Sequence, residues 1–223
     1  MNAGGEGADE REGLPRLPPG RHGLPREFVV RNQRERLAAG MIAAVAERGY
    51  HQTKISDIAA AAGVSRRTFY GYFKTKEACF EDTLEAVAEF LLAAMAKAAE
   101  GERGWGAEVR ARLGALLEAL AANPDLVRFA FAAPPAAGGM IAARRRDLLD
   151  RLLANLAEGR PKGARRPTEA AEHGIAGALA ALLVEKEAAG EGEELPRLLP
   201  DLVELVLTPY LGRERAVREA RRA

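Results

Sequence analysis

The residues with the greatest chemical reach sit in one short stretch. Gly63-Val64-Ser65-Arg66-Arg67-Thr68-Phe69-Tyr70 brings together a turn residue, a helix-capping hydroxyl, two guanidinium groups, a second hydroxyl and a phenol. An arginine fork can pair with both acceptors on the edge of guanine, while hydroxyls and tyrosines reach phosphate oxygens. That chemistry suits recognition of a nucleic acid, by reading bases or by phosphate contact alone. Bond-breaking chemistry has no comparable foothold. His22, His51 and His173 lie far apart and in no HxxxH or HExxH spacing. Cys79 is the one cysteine, so neither a CxxC redox pair nor a cysteine-rich zinc site can form within the chain. No Walker glycine loop, GxGxxG turn or serine elbow occurs. No catalytic residue, metal site or cofactor is expected, and the chain does not read as an enzyme.

The recognition residues need a scaffold, and the flanking sequence predicts one. Thr53 is placed to cap a short helix whose inner face is Ile55, Ile58 and Ala59. Gly63 ends that helix and permits a sharp turn. Ser65 then caps a second short helix, from Arg66 to about Tyr72. Helix, glycine turn and helix within about 20 residues is a helix-turn-helix pattern. Before it, Val30, Leu37, Met41, Ile42 and Val45 line one face of a helix that ends near Gly49. After it, Thr75 is a plausible N-cap for a long helix to about Glu100, with Phe80, Leu84, Val87, Leu91 and Met95 along one side.

Composition supports an all-α chain. Hydrophobic residues make up 48% of the 223, and alanine and leucine, both helix formers, supply most of them. Further helices are expected over roughly 105–122, 124–133, 137–158, 168–189 and 196–208, separated by Pro124, Pro134-Pro135, Pro161, Pro167 and the Gly190–Gly192 segment. Residues 1–25, rich in Gly, Pro and charge, read as a disordered arm, with Arg16 and Arg21 available for DNA. Residues 26–74 read as the DNA-binding head, 75–212 as a regulatory and dimerisation body, and 213–223 as a charged tail that frays. Arg144-Arg145-Arg146 reads as a solvated charge run. The net charge of +1 hides a head segment, residues 26–80, with ten Lys or Arg against five acids. A basic segment on an otherwise acidic chain suits contact with a polyanion. No apolar run reaches membrane-span length, the N-terminus lacks signal-peptide order, and one cysteine suits a reducing compartment. The expected location is the cytoplasm, with no membrane partner.

Residues 34–80, RERLAAGMIAAVAERGYHQTKISDIAAAAGVSRRTFYGYFKTKEACF, resemble the DNA-binding domain of the TetR family of repressors. The likeness is carried by Gly49-Tyr50, Ile58-Ala59, Ala62-Gly63-Val64-Ser65, Thr68-Phe69-Tyr70, Tyr72-Phe73 and Lys76-Glu77, in that order. Three positions depart: Val45 stands where the family often has Phe, Arg67 where Gly is frequent, and Cys79 where Leu is usual. The resemblance implies a three-helix head joined by a long helix to a ligand-binding and dimerisation body. It implies DNA contacts from Ser65, Arg66, Arg67, Thr68, Tyr70 and Tyr72, with Thr53 and Lys76 as phosphate clamps at helix starts.

The same resemblance places a homodimer interface on the last two long helices. The sequence offers a seam of small residues, Ala170, Gly174, Ala178 and Ala181, and a bundle-like stripe including Leu198, Leu202 and Leu205. Two heads imply a palindromic operator. Family members often bind a small molecule in the body, and Leu91, Met95, Trp105, Phe129, Phe131, Met140 and His173 are the candidates for such a pocket. Few polar groups are visible there, so a largely apolar effector is expected. The function expected is a transcriptional regulator, a repressor released by that effector. The alternatives are a constitutive repressor without an effector and a helical ligand-binding protein lacking DNA function.

Overall fold

A computed structural model describes residues 26–132, 139–165 and 167–221. The expected arm, residues 1–25, lies outside the described residues. The described residues form ten α-helices and no strand. Three make the head: α1 (Arg26–Arg48), α2 (Ile55–Ala61) and α3 (Arg66–Tyr72). The body contains α4 (Lys76–Ala99), α5 (Trp105–Ala121), α6 (Pro124–Ala130), α7 (Met140–Ala157) and α8 (Glu169–Ala188). A 3-10 turn, Gly192–Leu198, leads into α9 (Leu199–Leu211) and α10 (Arg213–Ala220).

Side-chain caps, those of Ser65 and Thr75 expected and that of Thr168 not, explain several starts. Ser65, Thr75 and Thr168 each accept a backbone N–H three residues on, closing the first turns of α3, α4 and α8. At α2 the cap is Lys54 and not Thr53, and the Lys54 N–H donates to the Asp57 carboxylate at 2.8 Å. Two stretches of the C-terminal region also differ from expectation. The helix predicted over 196–208 begins with the 3-10 turn and then runs through Pro209 to Leu211. The tail after Gly212 does not fray through its whole length, because α10 turns Ala216 and Ala220 inward and both are buried. It packs on α9 and α5, and Arg110 donates to the Ala220 carbonyl at 2.8 Å. A strongly charged helix needs only one apolar edge to dock.

The core is a single apolar cluster running from Leu37 in α1 to Ala220 in α10. Head and body therefore share one interior. The long helix α4 joins them, and α1 also packs directly against α6. Phe80 of α4 and Phe129 of α6, both fully buried, meet with ring centroids 4.9 Å apart.

Within the head, α1 crosses α2 at a glycine. A β-carbon on Gly40 would fall 2.6 Å from the Ile58 carbonyl oxygen and 2.7 Å from the Ala62 nitrogen. Both are backbone atoms of or next to α2, so no side-chain rotation relieves the clash. Gly40→Ala is expected to lower stability by about 1–3 kcal/mol, as overpacking of a tight core does. Denaturant unfolding checks this, and an unchanged midpoint would show that the helices do not cross so closely.

Candidate functional site

The helix-turn-helix is held from behind by α1. The buried Arg36 side chain donates from Nη2 to the carbonyls of Ala62 and Gly63, each at 2.7 Å. These carbonyls close α2 and open the turn, and a guanidinium there also suits the negative end of the helix. Gly63 itself has φ +62°, a conformation that a side chain disfavours. Arg36 was not singled out in the sequence. Its position on the Leu37 side of an amphipathic helix was the available signal.

α3 then has two unlike faces. Phe69 is fully buried and its ring lies 5.8 Å from that of Phe73. On the other side Ser65, Arg66, Arg67 and Tyr70 are exposed, with Tyr70 at 50%. Thr68 and Tyr72 are half-buried beside them. Ser65 Oγ accepts the Thr68 N–H at 3.0 Å and shares a hydrogen bond with the Thr68 hydroxyl at 2.9 Å. Six of the predicted DNA contacts therefore lie on α3 or at its cap, and the two guanidinium groups are among the exposed ones.

Thr53 and Lys76 are turned the other way, which corrects their reading as phosphate clamps. Thr53 is buried, and its hydroxyl donates toward the carbonyls of Ala44 at 3.0 Å and Gly49 at 2.8 Å. Lys76 Nζ donates to the carbonyls of Tyr50 at 2.8 Å and Thr53 at 2.9 Å, and lies 4.1 Å from the Tyr50 ring centroid. Partial burial lowers its pKa. Two of its three N–H donors and its charge are engaged inside the protein. The Tyr50 hydroxyl completes the knot by donating to Glu77 at 2.9 Å, and burial raises the pKa of that phenol. Lys76 is thus the pin between the start of α4 and the α1–α2 turn.

The predicted pocket residues separate into two groups. Leu91, Met95, Trp105 and Phe129 are packed into the core, and the Trp105 indole donates to the Leu156 carbonyl at 2.9 Å. Met140 is half-buried against the same core. Phe131 and His173 instead border a cleft of about 270 Å³ between the end of α6, α7 and α8. Its other polar walls are Arg145, Arg146 and Asp150. The cleft is therefore not apolar throughout, contrary to the expectation of few polar groups. Nor is the arginine run simply a solvated face. Arg144 pairs with Glu81 across the surface, but Arg145 is only 5% exposed.

The dimer residues are also unlike one another in exposure. Leu202 is buried within the chain's own core and is not free to face a partner. Ala178 is half-buried, whereas Ala170, Gly174 and Ala181 are exposed along α8. Among the described residues, its own helix backbone aside, nothing lies within 4 Å of where a side chain on Gly174 would begin. Leu198 and Leu205 are half-buried, and Leu205 borders an open groove between α8 and α9.

Residues 42–83, from the second half of α1 into α4, match the family described as bacterial regulatory proteins, tetR family. The match covers the helix-turn-helix head and leaves the body beyond the start of α4 outside it. No curated protein matches the chain by sequence. Solved structures share its fold. The fatty acid degradation regulator FadR from Bacillus halodurans aligns with a TM-score of 0.68 and 22% identity, over 78% of this chain and 97% of that one. FadR from Bacillus subtilis, in complex with stearoyl-CoA, gives 0.63 and 17%, over 80% and 98%. SmeT, the repressor of the Stenotrophomonas maltophilia multidrug efflux pump SmeDEF, gives 0.59 and 22%, over 79% and 89%.

Replacing Lys76 tests its role as a pin. Lys76→Ala removes two charge-assisted hydrogen bonds to buried-side carbonyls, and a loss of about 1–3 kcal/mol in unfolding free energy is expected. A variant with wild-type stability and a flatter salt dependence of DNA binding would restore the clamp reading.

Proposed function

We propose that this protein is a DNA-binding transcriptional regulator that grips a palindromic operator as a homodimer and leaves it when a small effector occupies the body. The observation that carries this reading is the exposed edge of α3. Ser65, Arg66, Arg67 and Tyr70 stand free while Phe69 anchors the helix behind them. A helix locked on one face and armed with two guanidinium groups on the other suits the major groove. Its place is the cytoplasm, where an operator is accessible, and among the described residues no helix is long and apolar enough to cross a membrane.

Pairing of subunits follows from the weakness of one head. A single short recognition helix contacts few base pairs, and a two-fold dimer doubles the contacts. The exposed small residues Ala170, Gly174 and Ala181 and the open groove by Leu205 support α8 and α9 as the joining face. The cleft beside Phe131 and His173 supports an effector site, and its position between α7 and α8 lets a ligand bear on that face.

An operator selected from random duplexes tests the main claim. Arg67→Ala is expected to lower affinity for the selected site by about 1–3 kcal/mol at fixed salt, with a much smaller effect on unrelated DNA. Failure to select any sequence, or a uniform loss on all DNA, would remove the base-reading role.

Assembly is tested on the surface rather than at Leu202, where a charge would unfold the subunit. Ala181→Arg places a long cation on the exposed face of α8. Sedimentation is expected to show a wild-type dimer and a folded monomeric variant. A wild-type monomer, or a variant that stays dimeric, would move the interface elsewhere.

A further inference from the structure

The buried arginine of the body is incompletely satisfied. Arg145 Nη2 donates to the Phe129 carbonyl at 2.5 Å, but its Nε and Nη1 are buried without a hydrogen-bond partner among the described residues. No described carboxylate pairs with it, although its neighbour in sequence Arg144 finds Glu81 and Arg151 finds Glu85. The undescribed segment 133–138 contains only Ala, Pro and Gly, so it supplies no carboxylate either. The guanidinium lies 5.7 Å from the Phe80 ring centroid, and burial lowers its pKa to about 10. A buried cation that lacks an anion is costly, and such groups mark places where something else completes the site.

Arg145 is also a wall of the cleft. Arg146 and His173 bring further positive or protonatable groups to the same space, and the one carboxylate there, Asp150, lies 3.8 Å from His173. Beyond Phe131, Leu149 and Ala176 the cleft adjoins a seam between α5, α7 and α8, lined by Leu152, Leu179 and Leu183. That seam is nearly closed, with a volume of about 10 Å³. One end of the space is cationic and the other apolar.

We infer that the cleft binds an amphipathic carboxylate, its acid group on Arg145 and its aliphatic chain directed into the seam between α7 and α8. The inference deepens the effector reading and rests on it for its regulatory meaning, though not for binding itself. A carboxylate supplies acceptors for the two unpartnered nitrogens and a counter-charge for the cation. The chain buries apolar surface, and it must part α7 from α8 to enter. Such a ligand favours an opened body over the closed one by its differential affinity for the two.

Octanoate, octan-1-ol and octylammonium are suitable probes, because they share a chain and differ in head charge. Calorimetry on the full-length protein is expected to rank octanoate first, about tenfold or more tighter than octan-1-ol, as one or two charge-assisted hydrogen bonds provide. Octylammonium should rank last. In Arg145→Met the difference between acid and alcohol should disappear, and Arg145→Lys should retain part of it. The Met variant should unfold at an equal or higher temperature than wild type, since it removes an unpaired buried charge and keeps an apolar stem. Should it fail to fold, the three-probe ranking on wild type and Arg145→Lys still decides.

Equal binding of acid and alcohol, a preference for the amine, or no binding of octanoate would overturn the inference. A parallel gel shift with the selected operator separates it from the effector reading. Octanoate preference that leaves operator affinity unchanged keeps the carboxylate site and removes the effector role. Release by octan-1-ol and octanoate alike keeps the effector role and removes the carboxylate site.

Discussion

Everything in this molecule turns on the ring of Phe80. It lies one turn into α4, fully buried, where head and body meet. Tyr50 of the α1–α2 turn packs edge-on against it at 5.0 Å, Phe129 of α6 leans on it at 4.9 Å, and the guanidinium of Arg145 sits 5.7 Å away. The head cannot change its angle to the body without disturbing this junction, because α1 touches α6 as well as α4. Close-packed interiors resist gradual deformation and tend to switch between discrete arrangements. A junction shared by the recognition head and by a wall of the body cleft is a physical place for two such arrangements to differ.

The head is rigid for reasons that lie behind its reading face. Gly40 lets α1 and α2 approach to backbone contact, and Arg36 ties down the carbonyls at the turn. Lys76, Tyr50 and Glu77 bind the start of α4 to the same unit. Arg34 of α1 reaches Asp82 of α4 on the outside. The exposed side chains of α3 therefore project from a platform fixed at several points, which is what a base-reading geometry needs.

Much of this was legible in the sequence. Leu37, Met41 and Val45 on α1, and Phe69 and Phe73 behind α3, fall inside as their spacing predicts. The capping hydroxyls of Ser65 and Thr75 are where helix starts require them. Thr53 was misread because a threonine before a helix looks the same whether its hydroxyl caps the helix or faces a neighbouring carbonyl. Lys76 was misread because only tertiary structure brings the Tyr50 and Thr53 carbonyls to it. The arginine run carried a signal that went unused. Successive helical residues are about 100° apart, so three in a row span roughly 200° of the surface and one of them tends to point inward. Composition also hid α10, whose two buried alanines are four residues apart in a run of charge.

The inward position of Leu202, together with Val206, Leu179 and Leu183, has a consequence for how the chain comes to be folded. The chain covers these large apolar side chains by itself, while the small residues Ala170, Gly174 and Ala181 stay exposed on α8. Collapse of the chain is then a unimolecular event, with a rate that does not depend on how many copies are present. An obligate dimer, by contrast, has no stable folded monomer at low concentration. A chain that buries these side chains by itself has no need of a second copy to hide them.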